Sequence, residues 1–114
     1  MRVETVADYH TSLPEDDDHP YRTEAWKTNI DECNAFDLDV KGEMPGDLSG
    51  VYLRNTENPL QHSIGRYHPF DGDGMLHAMS FQHGQATYRN RFIRTKGFVA
   101  EQAAGHAIWS GISG

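Results

Sequence analysis

The dipeptide His83-Gly84 sits between two strand-like runs and constrains this chain more than any other feature. Glycine reaches positive φ without steric cost, which a two-residue hairpin turn requires. With those two residues as the loop, the pairing over Met75 to Ile93 follows. Phe81 faces Ala86, Met79 faces Tyr88, His77 faces Asn90 and Met75 faces Phe92. These eight side chains make one mostly apolar face. The opposite face pairs Ser80 with Thr87, Ala78 with Arg89 and Leu76 with Arg91, and it is mostly polar. Turn chemistry and side-chain alternation agree on one register.

Upstream, Phe36, Leu38 and Val40 alternate with Asp37, Asp39 and Lys41, a period of two that predicts a strand. Gly42 to Asp47 is a turn broken by Pro45-Gly46. Gly50 to Asn55 is a second short run rich in β-formers, and Thr56 to Gly65 is a polar loop. Downstream, Val99 to Ala104 suits a helical turn, and Ser110 to Gly114 is small and flexible with no closing strand. Met1 to Pro20 reads as a solvated tail carrying the like-charge run Glu15 to Asp18. Residues 21–34 are also polar, and Tyr21 and Trp26 are expected to pin this arm to a larger body. The reading is a flexible polar arm over residues 1–35 and an all-β domain over residues 36–114. Three or four short strands cannot cover their own faces and edges. No internal repeat is visible, but one copy of a repeating unit would show none. The chain is therefore expected to be a piece of a larger all-β fold.

The net charge of −7 speaks against a nucleic-acid partner, because phosphate binding needs a basic patch. No apolar run reaches the roughly 18 residues needed to span a bilayer. Met1 to Leu13 lacks the apolar core of a signal peptide, and the single cysteine, Cys33, has no internal disulfide partner. These features together predict a cytoplasmic location.

Seven histidines invite a metal reading: His10, His19, His62, His68, His77, His83 and His106. The spacing of six between His62 and His68, and between His77 and His83, matches no usual zinc pattern. His83 falls at the turn tip, where exposure is expected. His77 faces the core beside Asn90, as a hydrogen-bonded structural histidine would. Asp71-Gly72-Asp73-Gly74 begins like a calcium loop, but Met75 and Gln82 hold the positions that need oxygen ligands. A tight turn is the better reading. Gly72-Asp73-Gly74 lacks the spacing and lysine of a phosphate loop. Cys33, Ser49, Ser80 and Ser110 have no identifiable base or nucleophile elbow. Arg89, Arg91 and Arg94 are expected to form ordinary ion pairs with Asp71 and Asp73. No catalytic, cofactor-binding or metal-binding residue is assigned within the chain.

Three longer blocks carry a resemblance. Gly42 to Asn55 reads GEMPGDLSGVYLRN, Tyr67 to Ala78 reads YHPFDGDGMLHA, and Ala86 to Thr95 reads ATYRNRFIRT. In this order they resemble the opening of the carotenoid cleavage oxygenases, a family that includes the lignostilbene dioxygenases. His19-Pro20-Tyr21 is similar to the arm of bacterial members. Asn55-Thr56-Glu57-Asn58-Pro59 departs from the family's usual Asn-Gly-Pro-Asn-Pro. The resemblance implies a seven-bladed β-propeller with Fe(2+) on its axis, held by four histidines and supported by glutamates. It implies dioxygen and an apolar polyene or stilbene as small-molecule partners, cleaved at a carbon–carbon double bond to carbonyl products. It leaves room for peripheral membrane contact by the full-length protein. On this resemblance the four iron histidines lie downstream of the matching segment, and His77 corresponds to a histidine that does not bind metal. A blade takes roughly 40 to 50 residues, so a ring cannot close within this chain. The chain alone is expected to be inactive and prone to aggregate. The alternative is a non-catalytic β-module that binds a ligand or a protein.

Overall fold

The hairpin expected around His83-Gly84 is present, in the register read from the sequence. The structure is a computed structural model, and it describes residues 1–65, 67–68 and 71–110. Both turn residues take positive φ, 51° at His83 and 74° at Gly84. That pairing is the type I′ geometry whose twist matches the strands it joins.

Five antiparallel strands form one sheet: β1 (Arg2–Asp8), β2 (Asp31–Phe36), β3 (Gly50–Glu57), β4 (Gly74–Gln82) and β5 (Gln85–Phe92). Their spatial order is β1-β2-β5-β4-β3. An α-helix, α1 (Lys96–Ala104), follows β5 and extends the helical turn expected at Val99 to Ala104. The Thr95 hydroxyl accepts the Phe98 N–H at its start, and Gly105 closes it at φ 77°. The Gly111–Gly114 end, read as flexible, lies outside the described residues, as do Pro69 and Phe70 of the second matching block.

The apolar core is small. Leu60, Met75, Phe92 and Phe98 are buried together, with Tyr9 packed against them. The rings of Phe92 and Phe98 stack at 5.1 Å, and Tyr9 meets each edge-on at 5.1 and 5.3 Å. Met75 and Phe92 are partners in the β4–β5 register, so the hairpin's apolar face supplies half of this core. A compact chain of this length has a radius of gyration of about 13 Å. The observed value is 16.3 Å, with extents of 49 × 26 × 24 Å. The sheet is thus an elongated slab. Its β3 edge leaves Val51, Tyr52 and Leu53 between 60% and 64% exposed.

Several expectations need correction. The first twenty residues are not simply a tail, because Arg2–Asp8 forms β1 and pairs with β2. The strand expected over Phe36 to Lys41 lies earlier, at Asp31–Phe36. Asp37 takes φ 53°, which turns the chain out of the sheet, and only the Leu38 N–H returns to it, donating to the Ala86 carbonyl. Tyr21 and Trp26 do not pin the arm. They pack edge-to-face on each other at 5.4 Å and remain 44% and 45% exposed. The anchor is Arg22, buried, ion-paired to Asp17 at 2.7 Å and lying 5.2 Å over the Tyr67 ring. The Arg22 guanidinium and the His19 N–H hold the Asp17 carboxyl below its ordinary range against the opposing effect of burial. Thr56 to Gly65 is not a plain surface loop either, since β3 runs to Glu57 and Asn58, Leu60 and Gln61 are buried.

Candidate functional site

Across the middle of the sheet, Arg54, His77 and Asn90 occupy matched positions on β3, β4 and β5. Polar side chains on a half-buried face survive only if they bond one another. His77 does so on both sides. Its Nε2 lies 2.7 Å from the Thr56 hydroxyl and its Nδ1 lies 2.6 Å from the Tyr88 hydroxyl. Burial, and then the Arg54 charge, hold the His77 pKa below its ordinary value. The histidine is the satisfied structural residue expected from sequence. The cleft beside it, about 550 Å³, is lined by Trp26, Arg54, Thr56, Asn58 and His77 among others.

The turn Asp71-Gly72-Asp73-Gly74 is also structural. The Asp73 carbonyl accepts the Asn58 N–H at 2.7 Å and its carboxylate accepts the Leu60 N–H at 3.2 Å. Asn58 in turn exchanges two hydrogen bonds with the backbone of Asn29. A Cβ on Gly72 would stand 2.9 Å from the Asn58 nitrogen, so glycine is required for the loop to close.

Arg94, expected beside Asp71 and Asp73, has a different partner. It pairs with Glu32 on β2 at 2.7 Å, not with Asp71 or Asp73. Glu32 is fully buried, and its second oxygen accepts the Phe92 N–H at 2.8 Å. Arg91 donates to the Cys33 carbonyl and to the Asn34 side chain, and Asn90 accepts the Cys33 N–H at 2.7 Å. Backbone pairing between β2 and β5 covers only Asn34 with Arg89 and Ala35 with Tyr88. Past those two positions, side chains do the joining. Glu32 was missed because an acidic residue in a polar run carries no local sign of burial.

Among the described residues, no three His, Cys, Asp or Glu side chains converge as a metal site would require. His83 is exposed at the turn tip. The His10 ring reaches the Gly105 carbonyl, and the His19 Nδ1 accepts the Tyr21 N–H. His62 and His106 are exposed, each contacting the carbonyl of the next residue. With both nitrogens of His77 engaged, the residues described do not fit an iron centre. No described helix is long and apolar enough to cross a membrane.

The family model described as retinal pigment epithelial membrane protein matches residues 26–114. The chain belongs to this family, that of the carotenoid cleavage oxygenases. It is 36% identical over 99 residues to carotenoid 9,10(9′,10′)-cleavage dioxygenase 1 of Phaseolus vulgaris, covering 87% of this chain and 18% of that protein. It is 44% identical over 93 residues to apocarotenoid-15,15′-oxygenase of Synechocystis, covering 78% of this chain and 19% of the relative. The crystal structure of Pseudomonas brassicacearum lignostilbene dioxygenase superposes with a TM-score of 0.75 at 26% identity, over 79% of this chain and 19% of that one. The chain thus spans less than one fifth of the length of these relatives. The family's members include carotenoid and apocarotenoid cleavage enzymes.

Proposed function

We propose that this chain is the N-terminal scaffold of a non-haem Fe(II) dioxygenase that cleaves a carbon–carbon double bond of a carotenoid, apocarotenoid or stilbene. Its five strands would form the first blade of a seven-bladed propeller. The observation that supports this most is the match over residues 26–114, together with the likeness of the sheet to a lignostilbene dioxygenase. The scaffold role rests on chemistry. The polar networks around His77, Glu32 and Asp73 are spent on holding strands together and on tying Asn58 and Leu60 to the Asp71–Gly74 turn. The iron ligands and the apolar tunnel belong, on this reading, to the remaining four fifths of the polypeptide.

The test compares the 114-residue chain with a polypeptide that continues through the whole family length. Both are titrated with Fe(II) and assayed in air with an apocarotenal and with a lignostilbene. The longer protein is expected to bind one iron and to form carbonyl products, and the chain alone to do neither. Stoichiometric tight iron binding with alkene cleavage by the chain alone would overturn the reading. A longer polypeptide that folds yet binds no iron would favour a ligand-binding module instead.

A further inference from the structure

Between residues 59–65, 67 and 71–73 on one side and helix α1 with the residues after it on the other lies a second cavity of about 150 Å³. A parallel bridge from Ile64 to Ser110 ties its two walls together. By volume it is worth about five water molecules, so only a small group fits. Gln61, Tyr67, Asp73, Glu101 and Trp109 contribute to its lining.

Three polar atoms here are unmet. Gln61 and Tyr67 are each 7% exposed, and the Gln61 amide oxygen, its amide nitrogen and the Tyr67 hydroxyl make no hydrogen bond. Each such atom is costly to bury, and folded proteins leave few of them. An occupant that supplies partners removes that cost. Charge narrows its chemistry. Asp73 and Glu101 line the same cavity, so their carboxylates repel; burial pushes the Asp73 carboxyl up, the Leu60 N–H draws it back, and the Glu101 charge adds to the rise. A cation between them relieves the repulsion, whereas an anion adds to it. Asp73 uses one oxygen on the Leu60 N–H and Glu101 uses one on the Ile108 N–H. Each carboxylate retains a second oxygen for a donor. The Tyr67 hydroxyl, pushed up to about 12 chiefly by burial, stays protonated and offers its lone pairs. Trp109, 57% exposed, adds an aromatic face, which attracts cations. A divalent metal is disfavoured, since no three acidic or histidine ligands converge among the described residues.

We propose that this cavity binds a primary ammonium group, held by Asp73, Glu101 and the Gln61 carbonyl, with its carbon stem against Trp109. Methylammonium chloride is the probe, titrated into the full chain at micromolar concentration and constant ionic strength. The Trp26→Phe background leaves Trp109 as the sole tryptophan, so its fluorescence reports the site. The expected result is a saturable change in Trp109 emission. Glu101→Gln, which keeps the oxygen that serves Ile108, should weaken the response at least tenfold. Asp73→Asn, which keeps the acceptor for Leu60, should do the same. No saturable change would overturn the proposal. So would an equal response to neutral acetamide, or unchanged affinity in both variants.

Discussion

Glu32 and Arg94 meet at 2.7 Å across the β2–β5 seam, one fully buried and the other about half exposed. The carboxylate is also the acceptor for the Phe92 N–H, and Arg94 reaches on to the Tyr9 hydroxyl at 2.5 Å. Hydrogen bonding to Glu32 is the main reason the Arg94 pKa rises above its ordinary value. Removing the arginine strands a buried charge, while removing both charges does not. Because Arg94 is partly solvated, Arg94→Leu is expected to cost about 2 kcal/mol, below the cost for a fully buried pair. Glu32→Gln with Arg94→Leu should lose less than the sum of the single changes, as read by a urea-unfolding cycle. Additive losses would rule out the coupling.

His77 makes stability depend on pH. Its folded pKa lies below the ordinary histidine value near 6.5. The unfolded chain therefore binds the proton more readily than the folded one. Stability is fully present above that ordinary value and falls as pH drops below it, until the folded histidine also protonates. His77→Phe should flatten this slope. It should also cost about 1–3 kcal/mol, because the hydroxyls of Tyr88 and Thr56 each lose one of their two partners. Unfolding midpoints between pH 5 and 8 check both statements.

Asp8 and Asp31 stand opposite each other in the β1–β2 register. The hydrogen bond to Asp8 raises the Asp31 pKa, with smaller contributions from burial and from the Asp8 charge. A raised carboxyl pKa means stability is present below the unfolded value and is lost as pH rises through the folded one. Asp31→Asn should therefore stabilise the chain at pH 7, by only a few tenths of a kcal/mol since the pair is solvated. The gain should shrink in high salt and vanish near pH 3, as measured by thermal unfolding.

The β3 edge should drive self-association. Val51 and Leu53 are 60% and 64% exposed on an edge strand that pairs with β4 on one side only. Exposed apolar edges template further pairing unless charge blunts them. Val51→Lys with Leu53→Glu is expected to lower light scattering of the purified chain several-fold while leaving the hairpin signals in place. Unchanged scattering would move the blame to another surface.

The Met75–Phe92 hairpin was readable because a two-residue turn fixes register locally. Every partner then follows from counting, and Met75 and Phe92 mark the core side. β1 and β2 were not readable as a pair. Their partners lie more than twenty residues apart, and neither VETVAD nor DECNAF shows clean alternation. The alternating run at Phe36, Leu38 and Val40 misled because Asp37 turns at positive φ, which nothing in an apolar–polar pattern encodes. For the same reason Arg22, in a polar arm, passed unnoticed beside the bulkier Tyr21 and Trp26. Side-chain burial there is set by Tyr67 and Asp17, contacts that only the folded chain brings together.

The seam between β2 and β5 divides the sheet into two parts of different tempo. Strands β3, β4 and β5 share continuous ladders, while the β1–β2 ribbon is fastened to them mainly by Glu32, Asn90, Arg91 and Arg94. Side-chain fasteners release by rotating a few bonds. Amide protons of the ribbon should therefore exchange with deuterium well before those of the central hairpin, and the ribbon should be the first part of the molecule that a protease finds open.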